Sequence, residues 1–327
     1  MQSRPFGNAG FSISDVSFGA WAIGGSWGTV DDDESRRALH RAIDLGCNFI
    51  DTADVYGDGR SEKLVASVLA SRKERVYVAT KAGRRLRPHQ PEGYTLENLR
   101  AFVDRSRANL CVETLDLLQL HCPPTPVYSM PSVFDALDAL VHEKRIARYG
   151  VSVETVDEAM TAITRNPRVS SVQIILNMLR LKPLETFLPE AHKRGVAVIA
   201  RVPLASGLLT GKLSPTSTFP SDDHRTFNRF GESFDVGETF SGVPLESAFE
   251  AVESLRAIVP AGMTMAQFAL AWVLSQKGVT CVIPGAKSPA QVEDNTRASG
   301  VLLTTEQQAF VQKVYDRVVR PHVHHRW

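Results

Sequence analysis

The chain has 327 residues, with 37 lysines and arginines against 36 aspartates and glutamates, giving a formal net charge of +1. That balance leaves no field to draw it onto nucleic acid or an anionic lipid surface, and no basic block offsets it, so a small-molecule substrate is favoured over either partner. No stretch approaches a membrane span, residues 1–10 lack the apolar core of a signal peptide, and no Asn-x-Ser/Thr sequon occurs, so a cytoplasmic location is expected.

Residues 4–13 read as a Gly-turned hairpin. Eight apolar runs follow, at 16–20, 48–50, 76–80, 115–120, 149–153, 171–176, 196–200 and 281–284. Helical periodicity marks 33–46, 61–70, 95–110, 131–141, 156–164, 184–194, 245–259 and 265–275. In the first of these segments Asp31 and Glu34 supply a start signal and Gly46 a stop. Strand and helix alternating eight times predict a parallel sheet closed into a (β/α)8 TIM barrel, with the N-terminal β-hairpin ahead of it and a single domain over 1–327. One segment breaks the rhythm. Residues 213–243 are rich in Ser, Thr, Pro, Gly and charge, so they predict a long loop after strand 7 that overhangs the C-terminal face of the barrel. Its Phe219, Phe227, Phe230 and Phe234 either close over a ligand or pack the loop down.

Three predicted strands end in a polar residue: Asp51, Lys81 and His121, with Tyr56 close behind the first. Barrel enzymes keep their chemistry at such positions. Singly, each has a structural alternative: Asp51 as a turn cap, Lys81 on the surface, His121 satisfied in the core. Together they form an acid set, because an ammonium near a phenol favours loss of the phenolic proton and a carboxylate and an imidazole orient the groups. Such a set protonates an oxyanion. No residue supplies a hydride, so a nicotinamide is expected. The usual dinucleotide signatures are absent: Gly57-Asp-Gly59 lacks its third glycine, and 207–213 misses the P-loop spacing. Cys47, Cys111, Cys122 and Cys281 are scattered and read as reduced thiols, with Cys122 alone beside the candidate site. His322, His324 and His325 have no thiolate or carboxylate partner in sequence, so 321–327 read as a solvated tail and no metal is expected.

The segments 48–57 (Asn-Phe-Ile-Asp-Thr-Ala-Asp-Val-Tyr-Gly), 78–81 (Val-Ala-Thr-Lys) and 117–121 (Leu-Leu-Gln-Leu-His) resemble the aldo-keto reductases, and the likeness extends to about Asn295. The resemblance implies that Asp51, Tyr56, Lys81 and His121 are catalytic: Tyr56 as general acid, Lys81 lowering its pKa, Asp51 orienting Lys81, and His121 orienting the carbonyl. It further implies that the N-terminal β-hairpin caps the barrel floor and that a dinucleotide lies extended across the barrel mouth. Gly19, Ala20, Trp21, Asp51 and Arg201 stand near its nicotinamide, with Ser152 and Gln173 on the carboxamide. Pro203, Leu204, Ser206, Gly207, Leu209 and Lys212 belong to the segment that resembles the pyrophosphate loop, and Gly285, Lys287, Gln291, Asp294 and Asn295 to the adenosine end. Three positions depart from the family pattern. Val153 replaces a common Asn, and Arg201 stands where many members stack an aromatic ring on the nicotinamide, so its guanidinium either stacks or pairs with a carboxylate or anionic substrate. Gln291 replaces an Arg that often faces the 2'-phosphate, leaving Lys287 as its main ligand and NADP preferred over NAD. Trp21, Trp27, Tyr56, His121 and Tyr128 are the candidate substrate contacts. The implied activity is NADP-dependent reduction of an aldehyde, ketone or sugar. The alternative is a cofactor-binding regulatory subunit, as in potassium-channel β subunits. Substrate identity and oligomeric state stay open.

Overall fold

The computed structural model describes residues 1–25 and 27–327. A hairpin of β1 (Ser3–Pro5) and β2 (Ser12–Ser14) precedes eight parallel strands: β3 (Phe18–Gly19), β4 (Phe49–Asp51), β5 (Tyr77–Ala82), β6 (Leu117–His121), β7 (Tyr149–Ser152), β8 (Ser171–Ile175), β9 (Ala197–Arg201) and β10 (Cys281–Val282). Each pairs with the next in sequence order. Parallel bridges Val16↔Val282 and Gly19↔Gly285 join the first strand to the last and close the barrel. A side chain on Gly19 would drive its Cβ to 2.4 Å from the Ile283 carbonyl oxygen, so glycine there lets the closing strands approach.

Strand residues two apart share a face, and this sets the position of the site. Register pairs Phe49 with Tyr77, Asp51 with Ala79, Gln119 with Gly150, His121 with Ser152 and Gln173 with Ile199. At the N-terminal ends the inward residues are apolar: Phe49, Ala79, Leu117, Ala197, Ile199 and Cys281 form one buried cluster with Phe6 and Ile13 of the hairpin region. The hairpin thus plugs the barrel floor, as the family resemblance implies. Further along the barrel axis the inward face turns polar, with Asp51, Lys81, Gln119 and Arg201 two residues beyond apolar floor positions, and with His121 and, on β8, Gln173. Outward residues such as Ile50, Val78, Leu118, Leu120 and Val172 pack under the helices in the larger core. The helix Asp32–Asp44 starts on an Asp31 cap that accepts from the Glu34 amide, as the sequence signalled.

Residues 213–243 return over the mouth with a short helix, His224–Phe227, and 3-10 turns at Val236–Glu238 and Phe240–Gly242. The tail departs from expectation. Residues 321–327 are docked: His324 Nδ1 lies 2.9 Å from the Tyr315 hydroxyl, His322 Nε2 3.1 Å from Ser247 Oγ, and Trp327 is buried. Its partnerless histidines suggested solvation, yet the Trp327 indole finds cover against Gly237 and Gly242. Among the described residues, no helix is long and apolar enough to cross a membrane.

Candidate active site

A cavity of about 420 Å³ opens at the C-terminal ends of the strands. Asp51, at the end of β4, is buried on its floor, and its Oδ1 accepts from Lys81 Nζ at 2.5 Å. Its Oδ2 accepts from Gln119 Nε2 at 2.9 Å and Gln173 Nε2 at 2.7 Å. Lys81 completes its three donations to the Thr52 carbonyl at 2.9 Å and the Tyr56 hydroxyl at 3.3 Å. An ammonium has three hydrogens and no lone pair, so Lys81 holds the phenolic oxygen as an acceptor, and the hydrogen on Tyr56 is directed elsewhere, toward the cavity.

Tyr56 is held there by backbone geometry. Gly57 has φ +58°, and a Cβ on it would meet the Gly24 carbonyl oxygen at 2.0 Å, so the turn after β4 lies flush on the short helix Trp21–Gly24. Lys81 pulls the Tyr56 pKa down, as expected, but not far enough to set its direction. Burial dominates and raises it; Lys81 opposes this and Asp51 adds to it. Tyr56 therefore keeps its proton at neutral pH. Burial also disfavours the charged form of Lys81, but Asp51 and Tyr56 outweigh it and the ammonium persists. His121 stands edge-on to Tyr56, ring centroids 5.8 Å apart. Burial first, then Arg84 and Lys81, push its pKa well down, so the imidazole is neutral. Its Nδ1 is buried with no hydrogen-bond partner among the described residues.

Above this floor, Trp21 packs against Tyr56 at 6.1 Å and Trp27 at 5.4 Å. The long loop adds His224, 4.7 Å from Trp21 and 4.4 Å from Trp27, and Phe234, 6.0 Å from Trp21. Phe227 backs Phe234, Phe219 packs on Phe240, and Phe230 is exposed, so only part of the aromatic set faces the mouth. Arg225 lies over Trp27 at 5.0 Å and is held by Asp223 at 2.6 Å. Lys287 Nζ reaches the Trp27 carbonyl from the opposite rim.

Arg201 is committed to carboxylates, the second of its two readings. Its Nη2 lies 2.8 Å from Glu154 and donates to the Val153 carbonyl at 3.0 Å, while its Nη1 is 3.6 Å from Glu238. Arg84 pairs with Glu238 at 2.5 Å and Glu154 at 3.2 Å, so two guanidiniums and two carboxyl groups form one cluster in the wall, in which burial pushes Glu154 up to about 8. Burial opposes ionisation of Glu238, but Arg84 and Arg201 outweigh it and hold its pKa below the usual range. Cys122, Glu154 and Glu238 bring possible ligand atoms within 4.8 Å of one another, but a cation there would compete with both guanidiniums. Burial pushes the Cys122 thiol up to about 12, so it is no thiolate.

Most of the expected cofactor residues line the cavity: Gly19, Trp21, Asp51, Gln173, Arg201, then Pro203, Leu204, Ser206, Gly207 and Lys212, and at the far end Gly285, Lys287, Gln291, Asp294 and Asn295. Five expected site residues lie outside the lining, Lys81 because it sits beneath Tyr56 and Asp51 with its three donations made to protein. Ala20 is buried behind Trp21 with its carbonyl accepting from Ser61 Oγ at 3.0 Å, and Leu209 is fully buried. Ser152 faces the same side as His121, but its hydroxyl rests 3.4 Å from Cys122 Sγ. Tyr128, proposed for substrate, is wholly buried and donates to the Ser152 carbonyl at 3.0 Å. Gln173 is engaged with Asp51 and Gln119, which limits its amide for a carboxamide contact. Sequence reasoning missed Arg225 and Glu238, which line the cavity from the loop, and Gln119, two residues before His121 on the same strand face. Only the strand period signalled Gln119.

The aldo/keto reductase family model matches residues 15–316. The chain belongs to the aldo/keto reductase family and is an NAD(P)-dependent oxidoreductase. It is 26% identical to aldo-keto reductase YhdN of Bacillus subtilis over 98% of this chain and 95% of that one. It is 26% identical to the NADP(+) aldo-keto reductase yakc of Schizosaccharomyces pombe over 92% and 88%, and 27% identical to a probable voltage-gated potassium channel subunit beta of Arabidopsis thaliana over 92% of each. The structure of a glycerol dehydrogenase from Gluconobacter oxydans superposes with TM-score 0.77 and 31% identity, covering 98% and 96%.

Proposed function

We propose that this protein reduces carbonyl groups of small molecules to alcohols with NADPH, Tyr56 being the proton donor. The observation that carries this reading is the Lys81–Tyr56 contact, which occupies the phenolic oxygen and leaves the phenolic proton for the cavity. A bound nicotinamide supplies the hydride. The cavity suits a dinucleotide: Lys212, Arg225 and Lys287 offer cations along it for phosphates. Asp294, the acid at that end, has its Oδ1 occupied by Gln267 at 2.5 Å and Thr264 at 3.2 Å.

Tyr56 gives its proton to the developing alkoxide, and the buried Lys81 ammonium steadies the phenolate left behind. Neutral His121 orients the carbonyl. Trp21 and Trp27 exclude water from the reacting atoms. The channel-subunit reading shares a 27% identical relative, and measured turnover without channel association decides against it. NADPH and NADH consumption is to be followed against aldehydes, ketones, quinones and sugars, with hydroxylated three-carbon compounds first because of the glycerol dehydrogenase relative. Tyr56→Phe is expected to bind NADPH normally and lose most turnover. Near wild-type rates with chemistry limiting would overturn Tyr56 as the acid. Lys287→Met is expected to weaken NADP and spare NAD, an effect that added salt shrinks in the wild type.

A further inference from the structure

Glu238 reaches the cavity wall from a segment with two non-glycine residues in left-handed conformation, Phe240 at φ +52° and Ser241 at φ +56°. Such backbone persists only where surrounding contacts over-determine it. Ser206 Oγ ties the segment from the cavity side, donating to the Glu238 carbonyl at 3.1 Å and accepting from the Phe240 amide at 3.1 Å. From the opposite side the contact is Trp327. Its Nε1 donates to Asp235 Oδ1 at 3.1 Å, and the same oxygen accepts from the Gly237 amide at 2.7 Å, capping the turn that carries Glu238.

Packing is equally direct. A Cβ on Gly242 would stand 2.4 Å from Trp327 Cη2, and one on Gly237 would stand 2.8 Å from Trp327 Cζ2, so the indole lies against the backbone on both sides of Glu238. The guanidinium of fully buried Arg180 covers the ring at 4.0 Å, and its Nη2 donates to the carbonyl of Glu154, the other carboxylate of the cluster. Two nitrogens of Arg180, Nε and Nη1, find no hydrogen-bond partner among the described residues, so the ring face accounts for much of what receives this buried cation. Tyr315 and Glu185 hold His324, 2.9 and 3.1 Å away, and so hold the segment that delivers the indole.

We propose that Trp327 is a positioning residue of the active site: stacked with Arg180, it clamps residues 235–242 so that Glu238 stands in the cavity wall against Arg84 and Arg201. Its kinetic consequence rests on the reductase reading above, whereas its structural consequence does not. Loss of the clamp displaces a wall carboxyl group while leaving the Asp51–Lys81–Tyr56 floor untouched.

The test uses the full chain carrying Trp327→Ala, Trp327→Phe, Glu238→Gln or Trp327→Ala with Glu238→Gln. In hydrogen exchange, Trp327→Ala is expected to speed the amides of 236–242 while strand amides keep wild-type protection, and Trp327→Phe to restore most of it. In kinetics, Trp327→Ala is expected to raise KM for the carbonyl about 10- to 100-fold while kcat changes much less. The double variant should be no worse than Glu238→Gln alone, because both changes remove the same wall. Unchanged exchange over 236–242, or fully additive KM effects, overturns the proposal. Should the wild type reduce no carbonyl, the reductase reading fails while exchange still decides the clamp. Should Trp327→Ala not fold, Trp327→Leu, which removes the indole N–H and ring face but leaves the Asp235 cap of Gly237 in place, is read by the same exchange criterion.

Discussion

The floor and the mouth of the barrel are built from the inward faces of the same strands, and they have opposite chemistry. Phe49 and Asp51 are two residues apart on β4, Ala79 and Lys81 on β5, Leu117, Gln119 and His121 on β6, and Ile199 and Arg201 on β9. The floor residues meet the hairpin and exclude water. The mouth residues are just as buried, but their charges are paired: Asp51 receives three donors, and Arg201 meets two carboxyl groups. Burial by itself therefore does not separate structure from function here. What separates them is whether desolvation is compensated by apolar contact or by charge pairing.

Tyr56→Phe sharpens that comparison most. It keeps the ring and its packing, so melting temperature should hold while kcat falls about 100- to 10,000-fold, the scale of a lost general acid. Lys81→Met breaks both sides at once: turnover should fall as far, and Asp51, left buried without its cation, should cost about 3–5 kcal/mol in chemical denaturation. Phe49→Ala is the floor's counterpart. A cavity under the hairpin should cost about 3–5 kcal/mol with turnover per folded molecule nearly unchanged, and a matching loss of turnover would break the division.

Arg201 comes next in size. Its guanidinium is matched by Glu154 and Glu238, so Arg201→Lys should retain more stability and cofactor affinity than Arg201→Tyr. Thermal melts and NADPH titrations rank the two, and superiority of Tyr would instead favour stacking on the nicotinamide.

The smallest effect concerns Asp54, fully buried three residues beyond Asp51, with neither oxygen hydrogen-bonded among the described residues. Burial, then Glu62, pushes its pKa up to about 7. Below the unfolded value near 3.8 both states hold the proton. Between that value and about 7 the unfolded chain releases it while the folded one keeps it, so stability falls as pH rises, and the loss is complete above about 7. Asp54→Asn should flatten this slope and melt higher than wild type at pH 8. Parallel melting curves against pH would show that Asp54 is paired in solution.

The sequence by itself determined the barrel, its N-terminal hairpin and the grouping of Asp51, Tyr56, Lys81 and His121, because those follow from short-range patterns: apolar runs, strand period and polar residues at strand ends. It located the cofactor segments as segments, but not which side chains point inward. Ala20, Ser152, Leu209 and Tyr128 carry no mark of facing protein instead of cavity. Only tertiary structure decided the wall. Glu238 and Arg225 lie in a stretch without periodicity, and their places depend on contacts with Arg84, Arg201 and Trp27 far away in the chain. The histidine-rich tail looked solvated because local composition records polarity, whereas the docking of Trp327 depends on a complementary surface formed by Arg180, Asp235 and two glycines, which exists only once the barrel has closed.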